Sequence, residues 1–322
     1  MTGPDLTRAW LDRRYQTVDK DGVYVAHQPV YGFRRGHCEL GAMEKYIISH
    51  QILKAVASLK FNTLLDVGAG EGYTAALIRS LFGCQVSNCD LSPLAGRRAQ
   101  ELYGLSGAAA EADRLPFPDA QFDLVLCSET LEHLADPWRA LRELLRLARR
   151  AVVLTVPDEP PEVIASNRQA GEPHAHIQRF EVASFSAQAL GVSRVLVRRM
   201  LHRWLEIPAI LVEAAPRTES RRFPRFALRL YTLCQPLLQR WTGRRAAARL
   251  LEWDERLSNP GGNRFLPQPS LQDMGMASSR LTRGLLFLIL KDESCLAEKP
   301  QPISPYQVLD FRVPYLRLSP VP

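Results

Sequence analysis

The sequence lacks any long apolar segment. No window approaches the roughly 20 consecutive apolar residues that a membrane-spanning helix needs, and residues 1–5 lead into a polar stretch without a signal-peptide core. The 6 cysteines form no Cys-x-x-Cys pair, which predicts reduced thiols in the core. We therefore expect a cytoplasmic protein.

Most of the chain carries little excess charge of either sign, and the excess positive charge lies in one late part. The 322 residues carry a formal net charge of +7, with 46% apolar and 23% charged residues. This composition suits an ordinary globular core in one large domain or two small ones. Residues 191–290 contain 17 arginines and 7 acidic residues, so the basic character belongs to a late segment.

A glycine-rich turn follows the first predicted strand. Residues 63–67 are apolar enough for a short buried strand, Gly68, Gly70 and Gly72 follow, and a helical pattern begins at Tyr73. Glycine lets a backbone turn sharply and approach a ligand, and the next helix offers free N–H groups to an anionic ligand group. Strand, turn and helix in this order predict a nucleotide-binding crevice.

The spacing of these glycines distinguishes between cofactors. Dinucleotide folds use Gly-x-Gly-x-x-Gly, whereas this chain has Gly-x-Gly-x-Gly, with Asp66 two residues before the first glycine. The pattern resembles the first motif of the class I S-adenosylmethionine (SAM) methyltransferases. The resemblance implies SAM as the cofactor and argues against a nicotinamide oxidoreductase.

Two later acidic residues extend the resemblance. Asp90 ends the second predicted strand, 85–90, where an acid would accept hydrogen bonds from ribose hydroxyls; the alternative is an N-cap for the following helix. Asp113 follows a weak third strand, 107–111. In the family this segment contacts adenine, so Asp113 would accept from the adenine amino group and Arg114 or Leu115 would flank the ring; the alternative is an ordinary polar turn.

The segment that follows the fourth predicted strand (122–127) indicates a particular group within this family. Residues 128–134 read Ser-Glu-Thr-Leu-Glu-His-Leu, which resembles the ubiquinone-biosynthesis-like (methyltransferase type 11) group, where Ser128 and Glu129 would lie nearest the sulfonium. The cofactor contacts implied by the resemblance are Asp66, Gly68, Gly70, Gly72, Asp90, Leu91, Asp113, Arg114, Ser128 and Glu129.

Three histidines are candidate general bases, needed only if the acceptor must lose a proton. In falling order these are His176, His27 and His133; a helix-packing role is the favoured alternative for His133, and a structural loop role for His176. The sequence His174-Ala-His176 also resembles a pair of metal ligands. No third ligand is evident, so the sequence predicts no metal site.

Two absent motifs argue against DNA as the acceptor. No Asn/Asp-Pro-Pro-Tyr follows the fourth strand, and no proline precedes Cys127. We expect O- or C-methylation of a small molecule, with a lipid-like or glycan-linked metabolite among the candidates. The alternatives are a SAM-binding regulatory or assembly subunit without catalysis, and an RNA methyltransferase.

The predicted fold is α/β, a Rossmann-like seven-stranded doubly wound sheet with an antiparallel last strand. A helical insert separates strands 6 and 7, with helices expected over 226–241 and 246–257. Its arginines suit a solvated face, a surface for anionic lipid or a lipid-linked substrate, or RNA. The sequence does not indicate an oligomeric state. The predicted segments are an N-terminal arm or lid (1–38), a SAM-binding core (39–200), the insert (201–283), the last core strand (284–291) and an extended C-terminal tail (292–322). We expect the tail to be partly docked through Tyr306, Phe311 and Tyr315.

Overall fold

A computed structural model describes residues 3–20, 22–33, 41–213, 243–259, 266–267 and 281–313. One mixed sheet forms the centre, with strand order β3-β2-β1-β4-β5-β8-β6-β7. The strands are β1 (Thr63–Val67), β2 (Gln85–Asp90), β3 (Ser106–Ala109), β4 (Phe122–Ser128), β5 (Ala148–Pro157), β6 (Arg194–His202), β7 (Leu266–Pro267) and β8 (Thr282–Leu290).

The first five strands are all parallel. Their carboxyl ends therefore meet at one edge of the sheet, and the strand order reverses between β1 and β4. A crevice opens at such a reversal in doubly wound sheets, and ligands bind there. This arrangement places the glycine turn after β1 and the polar run after β4 side by side.

The last long strand runs the other way. β8 lies between β5 and β6 and pairs antiparallel with both, with Phe287 opposite Leu154 on one side and Val197 on the other. The predicted Rossmann-like sheet with an antiparallel last strand is confirmed. The two-residue β7, paired with β6, adds an eighth strand that was not predicted.

Helices cover both faces of the sheet because successive strand residues point to opposite faces. Leu64 packs in one core cluster with Ile52 and Leu251, and Leu65 packs in the other with Leu144. The helices are α1 (Gly3–Gln16), α2 (Ala42–Val56), α3 (Tyr73–Phe82), α4 (Pro93–Tyr103), α5 (Pro137–Leu147), α6 (Pro161–Ala170), α7 (Ala187–Leu190), α8 (Glu206–Glu213), α9 (Arg244–Ser258) and α10 (Pro305–Leu309).

The C-terminal segment differs from its prediction as an extended tail. Residues 305–309 form α10, which begins at a capping box between Ser304 and Gln307. The Phe311 ring then stacks on Tyr103, with ring centroids 5.9 Å apart. The predicted docking of Tyr315 lies outside the described residues.

The insert can be compared with its prediction only in part. The helix predicted over residues 246–257 is present as α9 and ends at Ser258, before Asn259. The helix predicted over 226–241, and the arginines from 217 to 240, lie outside the described residues. The lipid and RNA interpretations of the insert therefore stay predictions. No helix in the described ranges is both long and apolar enough to cross a membrane.

A largely buried charge cluster fastens α9 to the sheet and to α2. The Glu255 carboxylate contacts the ammonium of Lys54 and lies 3.1 Å from the Arg198 guanidinium, whose side chain is 2% exposed. Removing one member of a buried ion pair leaves the other charge uncompensated. The cluster is therefore expected to hold α9 in place.

We expect Glu255→Ala to lower the free energy of unfolding by about 3 kcal/mol, because Lys54 and Arg198 lose their shared acceptor. Urea denaturation of the full chain measures this change.

The matched control is Glu293→Ala. Glu293 also contacts an arginine, Arg194, at 3.2 Å, but both side chains are at least 40% exposed. Exposed pairs contribute about 1 kcal/mol or less. Equal losses in the two variants would contradict a special role for the buried cluster.

Candidate active site

A cavity of about 600 Å³ opens at the carboxyl ends of β1, β2 and β4. That volume lies in the usual range for small-molecule sites, roughly 300–1,000 Å³. Of the predicted contacts, those that line it are Asp66, Gly68, Gly70, Asp90, Leu91, Asp113, Ser128, Glu129, His27 and His133. Gly72, Arg114 and His176 are not among its lining residues.

The glycine turn needs its glycines for two reasons. Gly68, Gly70 and Gly72 have φ values of 73°, 54° and 76°, in the left-handed region that other residues rarely adopt. A Cβ on Gly68 would also lie 2.1 Å from Thr130 Oγ1. The turn therefore packs directly against the loop that follows β4.

Asp90 is a buried acceptor with capacity left. Its Oδ2 accepts a hydrogen bond from the Gly70 N–H at 2.8 Å, and its Oδ1 accepts one from the Ser92 N–H at 2.9 Å. The Leu91 N–H is a third partner, and because a carboxylate can accept about four hydrogen bonds, capacity remains for a ligand hydroxyl. Asp90 is not the N-cap of α4, because that position is occupied by Ser92, whose hydroxyl accepts from the Ala95 N–H. Burial raises the pKa of Asp90.

The expectation of free N–H groups at the start of α3 is wrong for two of them. The Tyr73 N–H donates to Gln28 Oε1 at 3.0 Å, and the Ala75 N–H hydrogen-bonds to the Asp66 carboxyl. Gln28 belongs to the N-terminal segment, so a residue distant in sequence caps the helix. Asp66 thus supports the turn as well as lining the cavity.

The adenine segment is only partly as predicted. Asp113 lines the cavity and lies 3.4 Å from the Arg139 Nε. Arg114 is exposed, because the chain turns outward there and buries Leu115, whose N–H donates to Glu143. The predicted flanking of the ring by the Arg114 side chain is not supported by its position.

The floor of the cavity is strained at Glu129. Its φ of 49° is unfavourable for a residue with a side chain, and such strain is common at functional sites. The Thr155 hydroxyl donates to Glu129 Oε1 at 2.9 Å and lies 2.8 Å from the Ser128 hydroxyl. Burial raises the pKa of Glu129.

Imidazole rings form one wall. His133 stacks on His174 with ring centroids 3.8 Å apart, and His27 meets His174 edge-on at 6.3 Å. Burial lowers the pKa of His27 to about 3 and that of His133 to about 2. Both rings are therefore neutral and weakly basic at neutral pH, which reduces their fitness as general bases.

His176, the first candidate base by sequence, lies behind this wall. Its Nδ1 is 2.7 Å from Glu159 Oε1, and its ring meets His133 edge-on at 4.8 Å. Because His176 does not line the cavity, the predicted order of candidate bases is not supported by position. The catalytic role of all three histidines stays a prediction.

Several residues of the cavity wall carry no sequence signal. Tyr15, Gln28 and Lys45 line the cavity from segments that precede the glycine turn. They belong to no motif and reach the site only through packing of α1, α2 and the intervening chain. Thr130 lies inside the predicted run after β4, and its contact with Gly68 could be anticipated only from the strand order.

Comparison with known proteins identifies the central part of the chain. Residues 65–156 match the family described as a methyltransferase domain. Tocopherol O-methyltransferase of Arabidopsis thaliana is 33% identical over 106 residues, 30% of each chain. Norajmaline N-methyltransferase of Rauvolfia serpentina is 34% identical over 98 residues, 28% of this chain and 34% of the relative. The matched stretch spans about a third of these relatives.

The chain contains a class I SAM-dependent methyltransferase domain. A structure of Haemonchus contortus phosphoethanolamine N-methyltransferase 2 in complex with S-adenosyl-L-methionine has a TM-score of 0.46 and 15% identity, covering 89% of this chain and 60% of that one. The predicted cofactor, SAM, fits the cavity of this methyltransferase domain: Gly68 and Gly70 line it, and Asp90 retains acceptor capacity for a hydroxyl.

Gly68→Ala should weaken SAM binding by the methyltransferase domain at least about 10-fold, or roughly 1.4 kcal/mol. The new methyl group would displace Thr130 and widen the turn. Isothermal titration calorimetry with SAM measures the change.

Gly83→Ala is the matched control. Gly83 has a φ of 63°, but its added Cβ would meet no atom of the described residues within 4 Å. Both substitutions incur the left-handed backbone penalty of about 1–2 kcal/mol, and only Gly68→Ala adds a collision. Equal SAM affinities in the two variants would show that the contact with Thr130 is unimportant.

Asp66 gives a prediction about pH. Burial and the neighbouring Asp90 raise its pKa to about 8, against about 4 in the unfolded chain. The folded state therefore holds this proton more tightly, and its contribution to stability is complete below about pH 4 and lost as the pH rises through about 8. Asp66→Asn removes this titration.

Without SAM, we expect the wild type to lose more unfolding free energy than Asp66→Asn between pH 5 and pH 9. Urea denaturation at pH 5, 7 and 9 provides the comparison. Parallel stability curves for the two proteins would contradict the raised pKa.

Proposed function

We propose that the protein transfers the methyl group of SAM to an oxygen or carbon atom of a small, largely apolar acceptor. The observation that carries the proposal is a single cavity lined by the glycine turn and Asp90 at one end and by imidazole and aliphatic side chains at the other. The matched relatives' names describe O- and N-methylation of small molecules, which supports the reaction class but not a particular acceptor.

Residues in different parts of the cavity have different proposed roles. Asp90 and Gly70 bind the cofactor at one end of the cavity, where the buried Asp90 carboxylate accepts from a hydroxyl group of the cofactor. Ser128 and Glu129 form the floor between the two halves. Bound SAM supplies an activated methyl group with its leaving group attached, so alignment of the acceptor is the main task of the protein.

The acceptor half favours a planar or aliphatic molecule. His27, His133 and His174 present ring faces and edges, and Leu6 and Ile48 add apolar surface. Aromatic rings pack well in offset or edge-on arrangements. The N-terminal segment supplies His27 and Leu6, which supports the prediction that this arm acts as a lid over the acceptor.

Asp90→Ala tests the proposed cofactor end. It removes hydrogen bonds to a charged acceptor, each contributing about 1.5–3 kcal/mol, so we expect SAM affinity to fall at least about 100-fold. Calorimetry with SAM gives the affinity, and a thermal melt shows whether the variant is folded. Asp119→Ala, at an exposed carboxylate outside the cavity lining, should bind SAM like the wild type.

Turnover separates an enzyme from a SAM-binding subunit. The full chain is incubated with methyl-labelled SAM and either a panel of phenols, hydroquinones and amines or a dialysable small-molecule extract. We expect label in a small-molecule product, and none with Asp90→Ala. SAM binding by the wild type with no labelled product would favour the non-catalytic alternative; label in RNA would favour the RNA alternative.

A further inference from the structure

Three side chains with metal-binding atoms converge at the histidine wall, on the side of His133 that faces His176. One ligand atom each from Glu132, His133 and His176 lies within 4.8 Å of the other two. Glu132 and His133 belong to the 3-10 helix Leu131–His133, and His176 comes from the loop that follows α6. Of the His-x-His pair only His176 takes part, and the other two ligands, Glu132 and His133, come from another segment.

The hydrogen bonds of the two imidazoles assign their tautomers. The Nδ1 of His133 lies 3.2 Å from the Ala175 carbonyl oxygen, and the Nδ1 of His176 lies 2.7 Å from Glu159 Oε1. A carbonyl and a carboxylate can only accept, so each neutral ring donates from Nδ1 and keeps a lone pair on Nε2. Metal-binding histidines are oriented in this way, through a backbone carbonyl or a carboxylate on the other nitrogen.

Glu132 supplies an independent observation. Its side chain is completely buried, and neither carboxylate oxygen has a hydrogen-bond partner in another of the described residues. The nearest basic atom, His133 Nε2, is 3.8 Å from Oε1, too far for a hydrogen bond. A buried carboxylate without a partner is strongly unfavourable, and a cation between these groups would compensate it.

From this geometry we propose that Glu132, His133 and His176 bind one divalent transition-metal ion. Two imidazoles and one carboxylate are a known ligand set for Zn²⁺ and for Fe²⁺. Metal–ligand distances near 2.1 Å require the ligand atoms to approach one another by about 1 Å. His176 is partly exposed on a loop, so its side chain can make most of that movement.

The ion would join the loop to the cavity wall. The Ile177 and Gln178 N–H groups already donate to the Glu132 carbonyl oxygen, at 2.8 and 3.1 Å, which sets the loop in register with the 3-10 helix. His133 and His174 line the cavity. A bound ion would fix these rings and occupy the His133 nitrogen that a general base needs.

The test is zinc binding by the full chain after treatment with a chelator, measured by calorimetry with ZnCl₂ alone. We expect one Zn²⁺ per chain. Glu132→Gln and His176→Ala should each weaken binding about 100-fold or more. Glu159→Gln, which removes only the negative charge that orients the His176 ring through Nδ1, should weaken it about 10- to 100-fold, as loss of the hydrogen-bond partner of a metal-binding imidazole typically does.

His174→Gln is the matched control. His174 lies two residues from His176 on the same loop and stacks on His133, but it is not one of the converging ligands. We expect less than about a threefold change in zinc affinity, far below the effect of a lost ligand. Circular dichroism confirms folding, and His176→Ala keeps the test informative if Glu132→Gln does not fold.

Absence of zinc binding, or binding unaffected by both ligand substitutions, would overturn the proposal. Co²⁺ provides a second readout, because thiolate ligation gives an intense charge-transfer band in the near ultraviolet, and such a band would place the metal on cysteine instead. The measurements use neither SAM nor an acceptor. Their failure is therefore distinct from a failure of the proposed methyl transfer.

Discussion

The cofactor site depends on a buried ion pair inside the glycine turn. Glu71 is fully buried, and its Oε1 lies 3.0 Å from the Arg98 guanidinium on α4. The same carboxylate accepts hydrogen bonds from the His27 and Gln28 N–H groups at 2.9 to 3.1 Å. Breaking one side of a buried pair typically costs about 3–5 kcal/mol, so the turn, α4 and the N-terminal segment are held as one unit.

This anchoring determines the shape of both halves of the cavity. With its backbone fixed on Glu71, the chain directs the Gln28 side chain to the first N–H of α3 and the His27 ring toward His174. The N-terminal segment therefore contacts the glycine turn and the histidine wall of the cavity at the same time. That segment lies outside the matched residues 65–156, so the family domain alone does not define the site.

The features that were predicted correctly from the sequence are those that short-range interactions determine. The strand before the glycine turn, the sharp turn at its glycines and the acid ending β2 follow from short-range constraints, and these predictions agree with the structure. The contact between Glu71 and the N-terminal segment spans more than 40 residues, and no sequence pattern in either segment predicts it. The cluster of Glu132, His133 and His176 escaped prediction for the same reason: Glu132 precedes His176 by 44 positions.

The two halves of the cavity also differ in how their buried carboxyl groups are partnered. In the cofactor half, Asp66, Glu71 and Asp90 each accept from backbone N–H groups. Backbone partners depend only on the path of the chain, so this half is determined by the fold and is readable from a motif. Behind the histidine wall, neither carboxylate oxygen of Glu132 has a hydrogen-bond partner in another of the described residues. Under the metal proposal its partner is an ion that is not part of the chain, so this side of the cavity cannot be read from a motif in the way that the glycine turn can.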